Sequence, residues 1–202
     1  MTLYLASQSP RRQAILQQIG VQFRLLTIEV DETPKADELA PDLVQRLATA
    51  KALAGAGQIN DEPVVVLGAD TVVCIDDDIL GKPQSAEEAR LMLRRLSGRT
   101  HQVLSAVCLC RTDSRGGVID QRTELSISEV SFRHIEDDEI LRYGASGEAA
   151  GKAGAYAIQG LAGLFVTRLE GSYSGVVGLP LEKLFPLLQT FGVPYWDGSD
   201  TQ

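Results

Sequence analysis

The chain has 202 residues, 44% of them hydrophobic and 23% charged, with a formal net charge of −8. Enough apolar side chain is present for a sizeable core, and the composition lies far from that of disordered chains. The acidic excess excludes an extended nucleic-acid footprint, which needs a broad basic face, but not a small anion gripped by a few converging cations.

Residues 3–6 read as a short buried strand. Ser7, Gln8 and Ser9 make a turn, and Pro10 opens a helix to Ile19, with Ser9 as its N-cap and Gly20 closing it. Residues 21–26 suggest a second strand and 28–35 an acidic loop. Leu43, Leu47, Ala50 and Leu53 recur at helical spacing, which predicts a helix over 41–54. Residues 64–75 form an apolar, β-branched run interrupted by Gly68, Ala69, Asp70 and Thr71, and Asp76, Asp77 and Asp78 turn it into a hairpin ending near Lys82. Ser85 and Glu88 form a capping box for a helix to Leu96. Strands follow over 103–110 and 125–132, then a short helix over 136–143. Residues 144–163 are rich in glycine and alanine and read as loop. Strands are expected at 164–169 and 175–177, and Pro180 starts a last helix to Phe191. Strands alternating with helices, with two hairpins among them, predict an α/β fold on a mixed sheet. No repeat divides the chain, so one domain spanning 1–202 is expected.

Cys74, Cys108 and Cys110 are odd in number and sit in apolar runs, so they read as reduced thiols. The opening residues lack the order of a secretory signal, and no apolar run is long enough to span a bilayer. The expectation is a cytoplasmic protein with no membrane partner.

Several residues could carry chemistry. SQSPRR at 7–12 gathers free amides and the positive end of a helix dipole beside Ser7, Ser9, Arg11 and Arg12. That is a recipe for binding phosphate, although an ordinary capped helix has the same look. Asp70 is a carboxylate inside a buried strand, expensive unless paired or metal-bound. Asp31 and Glu32, with Lys51 on the next helix, could complete with Asp70 an oxygen cluster for Mg²⁺ or Mn²⁺. The acids at 76–78 rival that cluster but suit a simple turn. Lys82 and Lys152 stand where loops meet regular structure, as phosphate ligands or surface lysines. His101 reads as structural. Gln159 has an amide suited to a base edge.

SQSPRRQAIL, GADTVV, GKP, SGRTHQV, KAGAYAIQG and GSYSGVVGLPL, in that order, resemble the Maf family of nucleotide pyrophosphatases from about residue 3 to 191. The resemblance implies a long mixed β-sheet flanked by helices, with two lobes and a deep cleft, related to the inosine triphosphate pyrophosphatases. It also implies metal-dependent cleavage of a nucleoside triphosphate to monophosphate and pyrophosphate, a house-cleaning activity, and a homodimer. Asp70 matches the family's proton acceptor; Glu32, Lys51 and Lys82 match its acidic and basic cleft residues; Arg12 matches an arginine near the triphosphate. Arg11, Thr71 and Gln159 are of the type found in the branch acting on dTTP and UTP; the branch associated with 7-methyl-GTP has tryptophan, glutamine and glutamate there. A purine substrate, or a nucleotide-sensing regulator of cell division with little catalysis, are the alternatives. One departure stands out: Gly151 precedes Lys152 where the family commonly has aspartate, and Glu148 could substitute.

Overall fold

In the computed structural model, which describes residues 2–60, 62–76 and 78–196, seven strands form one mixed sheet. Strands β1 (Leu3–Leu5), β2 (Arg24–Leu25) and β3 (Val65–Ile75) run parallel. Strands β4 (Asp78–Leu80), β5 (Thr100–Thr112), β6 (Val118–Phe132) and β7 (Val166–Glu170) join it antiparallel. The lateral order is β2-β1-β3-β5-β6-β7, with β4 beside β3. Helices α1 (Pro10–Gln18), α2 (Ala40–Ala56), α3 (Ala86–Leu96), α4 (Asp137–Ala145), α5 (Tyr173–Val177) and α6 (Leu181–Phe191) pack around it.

The period-two alternation of β3 decides which helix covers which face. Val65, Leu67 and Ala69 pack with Ile15 and Leu16 of α1 and with Leu184 and Leu188 of α6. Val66 and Val72 point the other way, against Leu43, Val44 and Leu47 of α2. Farther along the strand, Val73 and Ile75 join a third cluster with Leu93 and Leu96 of α3, Ile140 of α4 and Phe132. Two apolar clusters therefore share one face, one toward each end of β3, while α2 covers the other.

Between those ends the sheet has a notch. Along one edge β3 is paired with β5 from Val65 to Cys74. On the opposite edge β1 stops at Leu5, opposite Leu67, and β4 starts pairing only at Val73. Residues 68–72 thus have an open edge, at which side chains from both faces of β3 reach one space. Asp70 and Thr71, adjacent in sequence and facing opposite ways, both get there.

Several expected elements change. The strand expected at 175–177 is instead the helix α5. Ser172 caps it by accepting from the Gly175 amide at 3.0 Å, and this local bond prevails over the strand preference of Val176 and Val177. Of the strand expected over 21–26 only Arg24–Leu25 pairs, because β1 beside it offers a short partner. Residues Leu161–Phe165 form a 3₁₀ helix that precedes β7, so that strand begins later than expected. Strands β5 and β6 are longer than their apolar cores suggested, since each pairs with the other through its polar end. At α3 the Ser85 hydroxyl accepts from the Glu88 amide, but Glu88 accepts from Gln84 rather than Ser85, so only half of the capping box forms. Cys108 and Cys110 face the same buried cluster, and none of the three cysteines forms a disulfide. Burial pushes the Cys110 thiol up to about 12. Among the described residues no helix is long and apolar enough to cross a membrane.

Candidate active site

A cavity of about 410 Å³ opens at the notch. Its lining includes Ser7, Ser9, Arg11, Arg12, Glu32, Lys51, Asp70, Thr71, Lys82, Lys152 and Gln159, all of them singled out from the sequence as ligand or specificity positions. They come from the β1–α1 turn, the first turn of α1, the loop before α2, α2 itself, β3, the β4–α3 connection and the glycine-rich segment. Asp31 does not line it; its carboxylate accepts from the Thr33 amide at 2.9 Å. Asp76 and Asp78 also lie elsewhere, paired with Arg99 and Arg95, and Asp77 lies outside the described residues.

Lys51 organises the acidic wall. It comes from α2, which lies close on β3: a Cβ on Gly68 would sit 2.2 Å from the Ala48 carbonyl. The Lys51 ammonium lies 2.6 Å from Asp70 Oδ1 and 2.6 Å from Glu32 Oε1, so the two carboxylate oxygens are within twice that distance of each other. Lys82 holds the other oxygen of Glu32 at 2.8 Å. Burial pushes the Glu32 carboxyl up, but hydrogen bonds from Lys51 and Lys82 outweigh it and bring it down to about 2.

Another part of the lining is cationic. Ser9 occupies the N-cap of α1 without a side-chain cap bond. The Ser7 hydroxyl accepts from the Ser9 amide at 3.2 Å and from Arg12 Nη1 at 3.1 Å, which leaves its own hydrogen available. Arg12 is buried, and its Nε donates to the Gly178 carbonyl at 2.8 Å. Arg11 Nε donates to the Val177 carbonyl at 3.3 Å. The carbonyls at the C-terminal end of α5 therefore aim both arginines. Burial lowers Arg12, Asp70 opposes that, and Arg11 lowers it again. Burial lowers Lys152 as well, with Arg11 adding to the effect. Five cationic side chains meet only two carboxylates in this cavity, in a chain of net charge −8, so like charges are held together where a polyanion would relieve them.

Most of the remaining lining is apolar. Val73, Val103, Val176, Tyr156 and Ala157 provide it, with Gln159 beside them. Among the described residues the Gln159 amide has no hydrogen-bond partner. His101 is buried behind the cavity, with Nε2 2.8 Å from the Tyr156 hydroxyl and an edge-to-face contact with Phe132.

Residues 2–191 match the family described as Maf-like protein. The chain belongs to the Maf family. The dTTP/UTP pyrophosphatase of Alcanivorax borkumensis is 50% identical over 97% of this chain and 98% of its own. Proteins of the same name from Methylococcus capsulatus and Escherichia coli O157:H7 are 50% and 48% identical, covering 96% and 94% of this chain and 92% and 93% of their own. The Staphylococcus aureus Ham1 protein matches with TM-score 0.43 and 13% identity over 95% of this chain and 97% of that one, a likeness too loose to argue from.

Among the described residues of this Maf-family chain, no group of three or more His, Cys, Asp and Glu is placed to hold a metal. The wall offers two carboxylates, Glu32 and Asp70, both hard oxygen donors. Two carboxylates completed by water and substrate phosphate is a usual donor set for Mg²⁺, so the pair fits Mg²⁺ or Mn²⁺ arriving with a triphosphate. Lys51 holds the same two oxygens and would compete with the ion for them. Glu148 does not stand in for the aspartate that Maf proteins commonly have at position 151. Its carboxylate accepts from the Leu161 and Ala162 amides at 2.9 and 3.2 Å and from the Tyr143 hydroxyl, and it does not line the cavity. Its carbonyl instead receives the Lys152 ammonium. Gly178 and Tyr156 were not apparent as site residues from the sequence. The signals were there: a glycine just before Leu-Pro, and a tyrosine within the motif that contains Gln159.

Proposed function

We propose that this chain hydrolyses dTTP and UTP to the nucleoside monophosphate and pyrophosphate, clearing nucleotides from the cytoplasm. The observation that carries this reading is the meeting, across one cavity, of the Asp70–Lys51–Glu32 ion chain and the cationic turn at residues 7–12. The names of relatives about half identical over nearly the whole chain support the choice of substrate. None of the three cysteines forms a disulfide, which suits a reducing compartment.

In this mechanism Asp70 accepts a proton from water as the water oxygen bonds to the α-phosphorus. The bond from that phosphorus to the bridging oxygen breaks, and its electron pair leaves with pyrophosphate. Arg12, Lys82 and Lys152 neutralise the leaving group, while Ser7, Ser9 and the first amides of α1 orient the phosphates. A divalent cation held by Glu32 and Asp70, when bound, supplies further neutralisation of phosphate charge. Val73, Val103 and Tyr156 give the base an apolar surface. The free Gln159 amide offers a donor for O4 and an acceptor for N3–H, the edge shared by thymine and uracil.

Pyrophosphate release measured over dTTP, UTP, CTP, GTP and 7-methyl-GTP, with Mg²⁺ or Mn²⁺, tests the reading. Dominant turnover of dTTP and UTP is expected. Preference for 7-methyl-GTP overturns the substrate, and binding of UTP without pyrophosphate release overturns the enzyme.

A further inference from the structure

Ser105 lies in the middle of β5, is 1% exposed and does not line the cavity. Its hydroxyl donates to the Gly175 carbonyl in α5 at 2.6 Å and lies 2.9 Å from the Thr71 hydroxyl. A hydroxyl has one hydrogen and a carbonyl can only accept. The Ser105 hydrogen is therefore spent on Gly175, and Thr71 must donate to Ser105. The Thr71 oxygen is left with lone pairs, and what faces it is Arg12 Nη2 at 3.4 Å, a group that can only donate. The hydrogens run one way, from Arg12 to Thr71 to Ser105 to Gly175. The same helix ends in the carbonyls of Val177 and Gly178 that receive Arg11 and Arg12. Ser105 thus bears on Arg12 twice, through the direction of the Thr71 hydroxyl and through the anchoring of α5.

We propose that Ser105 is a positioning residue: it fixes Thr71 as a hydrogen-bond acceptor and tethers α5, and so holds Arg12 in place for the polyphosphate of the substrate. This rests on reading the cavity as a triphosphate site. In a Ser105→Ala protein the Thr71 hydroxyl is free to turn its hydrogen toward the guanidinium, and the Gly175 carbonyl loses its partner.

The test compares wild type with Ser105→Ala, Ser105→Thr, Thr71→Val and the Ser105→Ala/Thr71→Val double variant. Three quantities are measured: affinity for inorganic tripolyphosphate by calorimetry, KM and kcat for pyrophosphate release from UTP, and Tm. Ser105→Ala is expected to weaken tripolyphosphate binding and raise KM by about tenfold, the scale of one misdirected hydrogen bond to a charged group, with kcat changed less. Ser105→Thr, which keeps the hydroxyl, should bind tripolyphosphate nearly as wild type does. The double variant should lose less than the sum of the two single losses, because the route through Thr71 is shared while the tether to α5 belongs to Ser105 alone. A folded Ser105→Ala protein with wild-type affinity, or losses that add in the double variant, overturns the proposal. Should the alanine variant not fold, Ser105→Cys, of similar shape with a weak donor, serves the same comparison with the same outcomes. If wild type binds tripolyphosphate but releases no pyrophosphate from UTP, the pyrophosphatase reading fails and the binding arm alone judges Ser105. If wild type binds no tripolyphosphate, both fail.

Discussion

Lys51 sits between Asp70 and Glu32, and the two acids differ in what its loss would do to them. Asp70 is 7% exposed, whereas the side chain of Glu32 is 42% exposed and also holds Lys82. Lys51→Met should therefore destabilise the fold by about 3 kcal/mol in urea unfolding, because it strands a buried carboxylate. Mg²⁺ should raise the Tm of that variant more than that of wild type, since the ion no longer competes with the lysine for the two acids. Asp70→Asn is the converse case: Lys51 keeps Glu32, so Tm should stay close to wild type while kcat for UTP falls by about a hundredfold or more. Near-normal turnover in that protein would remove Asp70 from the mechanism. His101 gives a prediction in pH. Burial holds its imidazole down, from the ordinary 6.5 to about 4. Between those values the unfolded chain takes up a proton that the folded chain does not, so stability falls as pH drops through this window, by at most about 1.4 kcal/mol per pH unit. Glu32 acts in the same direction but lower, between 4.5 and about 2. Comparing Tm at pH 7 and pH 5 therefore isolates the histidine, and His101→Gln should flatten the difference.

At the scale of elements, the site depends on how closely α2 approaches β3. A Cβ on Gly68 would meet the Ala48 carbonyl at 2.2 Å and the Ala52 amide at 2.5 Å, both helix backbone that cannot step aside cheaply. Gly68→Ala should cost about 1–3 kcal/mol as overpacking. It should also lower activity, because the displaced stretch of α2 carries Lys51. Gly144 is the contrasting case: it lies in α4 with nothing within 4 Å of an added Cβ, so Gly144→Ala should raise stability by about 0.5–1 kcal/mol and leave activity alone. Thermal melts of the two variants check both signs. The short helix α5 shows why its strand reading failed. Val176 and Val177 favour a strand on propensity, but the Ser172 cap and the Ser105 bond to Gly175 are tertiary and local facts that two valines do not reveal.

For the whole molecule, the surplus of cations in the cavity is a store of repulsion that a polyanion relieves. A non-hydrolysable UTP analogue at a hundred times its Kd should stabilise the fold by about 2.7 kcal/mol. For a chain of this size that corresponds to a rise in Tm of about 5–10 °C. The gain should shrink at 0.5 M salt, where screening weakens attraction between the ligand and the half-exposed lysines. No ligand-dependent rise in a thermal melt would count against the cavity as a nucleotide site.

The sequence by itself determined the alternation of strands and helices, the phosphate-friendly turn at residues 7–12, and the oddity of an aspartate inside an apolar strand, because each is written in neighbouring residues. It also carried the family likeness, and with it the polar and charged candidates of the site, although not the apolar lining, Tyr156 or Gly178. It did not reveal that β1 stops short and β4 starts late, leaving the edge of β3 open at residues 68–72, since strand pairing joins segments far apart in the chain. Nor did it show Lys51 bridging Asp70 and Glu32, or the direction in which the Thr71 and Ser105 hydroxyls point. Those depend on which polar groups meet once the sheet has closed, and only the tertiary structure decided them.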